Sequence, residues 1–477
     1  MNPPPADDCA AQKPAPSSAL GRVELRRILA LMLPLYLANL MNIGMGVIDT
    51  FVAGSAGTID LAAVALGCSV TAPIMISVGA ILSILGPMVS RLLGTGTERK
   101  VGSLLCSAKC LAVLLMLVEL ALLQGGRMLF PLVTDSAEMA AGADKYLLFV
   151  MLAVPASLLM RVVQGCWEGY SQTRPAMVVC LLGLLANLPL NYACVFGWWG
   201  LPALGGAGCG LATAIVHWIM CAALLAMLLL SRQHRHAARQ MLALRAPLLR
   251  LCRRIFRLGL PLGVASLCEM GFFCVVTLII APLGALMVSA QQVAINVSAV
   301  LYMFPLSLGI AVSIRASYHI GAQDKSAFDA MVRSTLRFMY AATLVFMLCT
   351  ICLRREIIGL YTSDPLVVST ASSLLVLCAL YQISDATQAI MAGLLRGCHD
   401  TAIITWANIG SYWLLGFPLS CILIRTDWLL PAMGPAGAWW SFIIGLTAAA
   451  FILYLRFRRT RQRIFAKPAE QKSSLAA

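Results

Sequence analysis

Leu33-Pro34-Leu35-Tyr36-Leu37-Ala38-Asn39-Leu40-Met41-Asn42-Ile43-Gly44 is answered, 227 residues later, by Leu260-Pro261-Leu262-Gly263-Val264-Ala265-Ser266-Leu267-Cys268-Glu269-Met270-Gly271. The Leu-Pro-Leu triplet, the alanine, the second leucine and the glycine keep their places. Further along, Gly165 and Gly169 match Gly393 and Gly397, Pro189 matches Pro418, and Ala207-Gly208 matches Ala436-Gly437, with the spacing drifting only to 228–229. Any one match is weak. Their common order and nearly constant spacing read as an internal repeat, so the chain is two copies of one unit.

The solvent of that unit is lipid. Of 477 residues, 60% are hydrophobic and 12% charged, with a mean hydropathy of +0.87, whereas a soluble domain carries about 25% charged residues. A membrane-spanning helix needs roughly 20 mostly apolar residues because lipid cannot satisfy backbone hydrogen bonds. That rule predicts about twelve spans, near 28–53, 61–88, 103–124, 146–166, 176–197 and 206–230, then 259–282, 286–312, 334–353, 367–395, 402–424 and 435–456. Six spans per copy is an even number, so both copies enter the bilayer in the same sense. They are then related by an axis along the membrane normal, with the substrate path between them. The expected fold is all-α and polytopic: an N-lobe of six helices (26–230), a basic cytoplasmic linker (231–257), a C-lobe of six helices (258–456), and cytoplasmic tails at 1–25 (disordered) and 457–477 (basic).

Orientation follows from the 35 Lys and Arg residues behind the net charge of +15. With both termini cytoplasmic, the outer loops hold only Arg127, Lys145, Arg354, Arg355 and Arg425, the asymmetry a positively charged inner face selects. Because the charge is gathered between apolar runs, it does not point to nucleic acid. The Pro- and Ala-rich leader lacks the apolar core of a signal peptide. The seventeen cysteines are an odd number inside mostly apolar segments, not a secreted disulfide framework. Cys349 and Cys352 form a CxxC without His or acidic neighbours, and read as small apolar side chains. The glycine pairs at 165/169 and 393/397 read as helix-packing faces.

An acidic residue inside the bilayer costs several kcal/mol unless it finds a polar cavity or partner, so four such residues are functional candidates. Asn39, Asn42, Gly46 and Asp49 share one face of the first helix, and Asn187 and Asn191 share a face of the fifth. Together they suggest a hydrated N-lobe pocket whose ionisable member, Asp49, suits a reversible proton carrier. In the other lobe Glu269 and Asp385 lie far from helix ends. Tyr381 and Gln388 share the face of Asp385, and Gln292 and Asn296 stand one turn apart on the eighth helix. Two carboxylates with neutral oxygens make a site for a hard cation such as Na⁺; the same pair could share a proton. Glu119, two turns from its helix end, is expected to snorkel outward, and Arg161 to snorkel or pair with Glu168.

No Gly-x-Ser-x-Gly, His-Glu-x-x-His or Walker-type phosphate loop occurs. The chain therefore reads as no enzyme and as needing no cofactor, with pumping left to an ion gradient. Embedded acids without many embedded bases favour cationic cargo. A lipid-linked saccharide flippase would need several cleft-facing Arg and Lys, which the spans lack; a passive channel or receptor would not need carboxylates in both lobes.

Val47-Ile48-Asp49-Thr50, Val52-Ala53-Gly54, Leu61-Ala62-Ala63-Val64, Gly259-Leu260-Pro261 with Glu269, Ala281-Pro282-Leu283-Gly284, Ala290 through Asn296, Met303-Phe304-Pro305, Val312-Ser313-Ile314-Arg315, Tyr381-Gln382 through Asp385, and Leu395-Arg396-Gly397 together resemble the multidrug and toxic compound extrusion (MATE) family, in its NorM-like branch. The resemblance runs from about Arg26 to Leu455. It implies two six-helix bundles forming a V, and a monomer in the bacterial inner membrane. It also implies alternating access that exports organic cations (fluoroquinolones, dyes, disinfectants) while Na⁺ or H⁺ enters. By resemblance Asp49 is the N-lobe ionisable residue, supported by Asn187, and Glu269 with Asp385 is the C-lobe cation site, with Tyr381 a further ligand. Keeping that acidic pair, the chain leans to Na⁺.

Overall fold

The computed structural model describes residues 17–134, 136–200, 202–243, 248–428 and 431–466. Residues 1–16 and 467–477, read from the sequence as tail, lie outside the described residues. Within the described ones, eleven helices are long and apolar enough to cross a membrane, and a bent pair makes a twelfth.

In chain order the spans are α1 (Ser17–Ala56), α2 (Thr58–Gly94), α3 (Val101–Arg127), α4 (Ala137–Met151 with Val154–Gly169), α5 (Arg174–Phe196), α6 (Ala207–Leu230), α7 (Leu249–Ile280), α8 (Ala285–Ala322), α9 (Lys325–Cys352), α10 (Pro365–Gly397), α11 (Ala402–Arg425) and α12 (Pro435–Ala466). All twelve expected spans are present. The helices run past the apolar stretches into polar sequence: α1 begins inside the segment read as tail, α7 inside the segment read as linker, and α12 continues to Ala466. Arginine-rich ends such as Arg250 to Arg257 can stay helical because long basic side chains reach the headgroup layer while their stems cover apolar surface. The linker also holds a short helix, Arg235–Leu242.

Breaks follow the prolines, which lack an N–H for the preceding turn. The 42° bend of α4 falls just before Pro155, and α2 is interrupted between Leu82 and Leu85, at Ser83, whose carbonyl lies four residues before Pro87 and gets no N–H from it. In α11, residues Ile409–Gly416 form a π-helix ahead of Pro418. Such segments recur at functional sites because they re-aim side chains.

Spans α1–α6 form one lobe and α7–α12 the other. Each glycine pair packs its helix onto the second helix of its own lobe. A Cβ on Gly165 would come within 2.7 Å of Leu85 and one on Gly169 would run into Val89, while in the C-lobe a Cβ on Gly393 would run into the Gly309 carbonyl and one on Gly397 would come within 2.6 Å of that of Ser313. The α2–α4 and α8–α10 contacts are thus the same contact twice. Gly393→Ala is expected to cost about 2 kcal/mol from overpacking, measured as a lower melting temperature of the detergent-solubilised protein.

Among the described residues the lobes meet from about mid-span toward the end where α1 begins and α12 finishes, hereafter the basic end. Here Ser90 Oγ donates to the Ile314 carbonyl at 2.9 Å, Arg91 Nη1 meets His399 Nδ1 at 2.6 Å, and Gly94 and Gly321 let α2 and α8 touch through their backbones. Gly259 and Gly263 of α7 likewise lie on Ile81 and Ser77 of α2. Near mid-span Asn39 donates to Ser307 at 3.0 Å, and Tyr36 meets Phe304 edge-on. Among the described residues, no hydrogen bond joins the lobes beyond that level. The result is a V with its mouth at the end opposite the basic one.

Candidate cation and substrate sites

Asp49, on the α1 wall of the N-lobe, ties three helices together. Its Oδ1 accepts from Asn187 Nδ2 at 3.1 Å and Asn191 Nδ2 at 2.7 Å, and its Oδ2 from Thr213 Oγ1 at 3.2 Å. The i, i+4 spacing that put both asparagines on one face of α5 thus delivers both to one carboxylate oxygen. Their own Oδ1 atoms are buried without hydrogen-bond partners, leaving acceptors beside the carboxylate. Thr213 was missed at the sequence level; its signal was the polar pair Thr213 and His217, one turn apart on the otherwise apolar α6. Asn42 is not part of this cluster: its Nδ2 donates instead to Cys180 Sγ at 4.0 Å.

In the C-lobe Glu269 (α7) and Asp385 (α10) line one cavity of about 100 Å³ with Ser266, Tyr302, Gln388 and Asn408. That volume holds several waters or a partly hydrated ion. Asp385 is buried, and Tyr381, one turn earlier, interacts with its carboxylate. The floor is a hydrogen-bonded chain: Tyr412 Oη donates to Gln388 Oε1 at 2.7 Å, Gln388 Nε2 to Asn408 Oδ1 at 3.3 Å, and Asn408 Nδ2 to the Ala265 carbonyl at 3.4 Å. Asn408 and Tyr412 flank the start of the π segment, which is how α11 turns both toward the acids. Among the described residues no three His, Cys, Asp or Glu side chains converge. A cation here would therefore meet two carboxylates and neutral oxygens, donors that suit a hard ion and not a soft transition metal.

Gln292 and Asn296 do not join that pair. Both are exposed, and Gln292 Nε2 donates to Asn296 Oδ1 at 3.1 Å. Eleven residues, about three turns, separate Asn296 from Ser307, whose side chain faces the N-lobe. Asn296 therefore looks across the open V, and Asn42, one turn beyond Asn39 and exposed, looks back from α1. These residues are cleft walls. The buried neighbour is Gln291, which accepts from Trp439 Nε1 at 2.9 Å.

The expectation for Glu119 is corrected. It is fully buried, and neither carboxylate oxygen has a hydrogen-bond partner. It faces into the lobe and lies eight residues, or about 12 Å, from the end of α3, beyond a glutamate's reach. Among the described residues Arg161 makes no direct ion pair with Glu168, whose Oε1 accepts from Gln164 Nε2 at 2.8 Å, but it lies close enough to interact with that carboxylate electrostatically.

Two repeated six-span lobes around a cleft, with carboxylate sites inside the bilayer, define a multi-pass membrane transporter. The chain belongs to the MatE family, whose sequence profile matches residues 34–193 and again 261–422, so the two matches begin at the prolines of the repeat. It is similar to "Multidrug resistance protein MdtK" of Yersinia pestis (strain Pestoides F), at 39% identity over 449 residues covering 91% of this chain and 95% of the relative. Among solved structures it is similar to the eukaryotic MATE transporter AtDTX14 (TM-score 0.82, 20% identity, 94% of this chain and 99% of that one). It is likewise similar to a multidrug resistance MATE family transporter in an outward-facing conformation (TM-score 0.82, 17% identity, 95% and 99%).

Proposed function

We propose that this chain is a multidrug efflux transporter of the bacterial inner membrane, NorM-like, with both termini cytoplasmic. In this reading it works as a monomer, expelling organic cations of fluoroquinolone, dye or disinfectant type in exchange for inward-moving Na⁺ or H⁺, with Na⁺ preferred. The observation that carries the reading is the enclosure of Glu269 and Asp385 in one cavity of the C-lobe, while Asp49 holds a separate polar cluster in the N-lobe. Two acidic sites in two lobes allow one to respond to the ion and the other to the cargo. The multidrug resistance relatives support the cargo class. With the basic end cytoplasmic, the V faces outward, the state in which cargo leaves and the cation enters.

A passive channel is disfavoured by the tightly packed seam at the basic end. A lipid-linked saccharide flippase is disfavoured because the cleft walls carry amides and not a basic cluster. The test is ethidium efflux from cells with Na⁺ and pH gradients imposed separately. A Na⁺ gradient alone is expected to accelerate efflux; export that ignores both gradients defeats the antiport reading.

A further inference from the structure

Where α2 and α7 touch at the basic end, positive charge gathers without a counter-charge. Arg91 of α2 donates through Nη1 to His399 Nδ1, on the turn between α10 and α11, at 2.6 Å. A guanidinium can only donate, so Nδ1 carries no proton and the ring proton sits on Nε2, which is buried with no acceptor. Burial, then the charges of Arg91 and Arg254, hold this histidine well below its usual range. The contact of α7 with α2 is antiparallel, Gly259 lying on Ile81 and Gly263 on Ser77. Residues of α7 before Gly259 therefore meet residues of α2 beyond Ile81. Arg254 comes close enough there to act electrostatically on both Arg91 and His399.

Arg254 belongs to a stripe. Arg250, Arg253, Arg254 and Arg257 are spaced i, i+3, i+4 and i+7, which is one helix face. Among the described residues neither Arg91 nor any of these four makes an ion pair. The neighbouring carboxylate, Asp400, is already engaged: it accepts from Arg456 Nε and from Thr460 Oγ1, each at 2.7 Å. The charge bias that orients a membrane protein asks only for exposed basic residues. It does not account for Arg91 turning into a helix seam beside a second arginine, where like charges repel and desolvation is costly. An anion between the two arginines resolves both. Its class follows from the depth: the arginine-rich helix ends stand in the headgroup layer, and guanidinium groups hold phosphate through paired hydrogen bonds. Basic pockets between spanning helices on the cytoplasmic side are where anionic headgroups bind.

We propose that Arg91 and Arg254, flanked by the other arginines of the α7 stripe, bind the phosphate of an anionic phospholipid between α2 of the N-lobe and α7 of the C-lobe. The headgroup neutralises both arginines while the two helices are in contact. It therefore favours the state in which the basic end is shut, and membrane composition sets how easily that end opens. Parting of the lobes separates Arg91 from Arg254, so the headgroup loses one of its two anchors in each cycle and regains it on return. The site does not depend on which cation drives transport.

The test uses the full chain in detergent, with thermal unfolding followed at constant ionic strength against three additives: short-chain phosphatidylglycerol, phosphatidylcholine of the same chain length, and inorganic phosphate. Phosphatidylglycerol is expected to stabilise the protein well beyond the other two. The concentration giving half that effect should rise about fivefold in Arg254→Gln, the share of one basic residue at a membrane surface, and at least as much in Arg91→Gln. Arg254 lies at the edge of the seam and carries the test even where Arg91→Gln folds poorly. Arg459→Gln, which removes an exposed arginine from the end of α12, should behave as wild type. Equal stabilisation by inorganic phosphate overturns the headgroup assignment. No change in Arg254→Gln, or an equal change in Arg459→Gln, overturns the site. The effect on the seam is read in bilayers, in a background freed of reactive cysteines, from disulfide formation by Gly21→Cys/Ser334→Cys, positions that face each other across the shut seam. Cross-linking should be faster with phosphatidylglycerol present than in phosphatidylcholine alone, and Arg254→Gln should abolish the difference. A difference that persists in Arg254→Gln overturns the link between headgroup and seam.

Discussion

Asp385→Asn is expected to bring cation-driven ethidium efflux to the level of cells lacking the transporter, with the protein still present in the membrane. The substitution is nearly isosteric and keeps an oxygen toward Tyr381, so packing around α10 is preserved. What it removes is one of two negative charges on an enclosed cavity. A carboxylate and a monovalent cation about 4 Å apart in an effective dielectric of about 20 attract by about 4 kcal/mol, roughly a thousandfold in affinity. Asp385 lacks the solvent access that would screen this: 4% of it is exposed. Stability should hold or rise, because a carboxylate buried without a cationic partner is a poor stabiliser. The measurements are efflux under an imposed Na⁺ gradient, membrane abundance, and melting temperature. Unchanged Na⁺-driven efflux in this variant would remove Asp385 from the site.

Much of this was legible in the sequence, and what was not has physical reasons. Span number and the two-lobe repeat could be read because hydropathy and proline placement are local properties that lipid enforces helix by helix. Helical periodicity also gathered Asn187 and Asn191 on one face, and the structure delivers them to Asp49. Periodicity says which residues share a face but not which neighbour that face meets. Gln292 and Asn296 therefore looked like partners for Asp385, when their face is the cleft wall and the inward-facing neighbour is Gln291. Pro418 was readable, but not the π form that the preceding residues take, so neither Asn408 nor Tyr412 stood out. Arg396 was visible as part of a familiar motif, yet only the fold puts it on the wall of the cavity that Glu269 and Asp385 line. Glu119 shows the same limit in reverse: distance from a helix end is readable, and the direction a side chain faces is not.

The seam at the basic end must open once per cycle, and a disulfide across it should stop transport. Its centre is Glu24 on α1, which accepts from Arg315 Nη2 at 2.8 Å and meets His319 Nε2 at 3.0 Å, both on α8 of the other lobe. All three side chains are buried. These residues lie 291 and 295 positions apart in sequence, so no local pattern announces them. Removing one member of a buried pair costs about 3–5 kcal/mol because its partner is left uncompensated, and that penalty falls only on the closed seam. Close by, a Cβ on Gly21 of α1 would lie 3.7 Å from the Cβ of Ser334 on α9, within the ~3.5–4.5 Å span of a disulfide. In a background freed of reactive native cysteines, Gly21→Cys/Ser334→Cys is expected to cross-link on mild oxidation and to lose ethidium efflux in proportion to the cross-linked fraction, with recovery on reduction. Adding Glu24→Ala should slow cross-linking by up to ~100-fold, because a ~3 kcal/mol bias moves most molecules out of the closed state. Full efflux from fully cross-linked protein would show that the lobes do not part at this end.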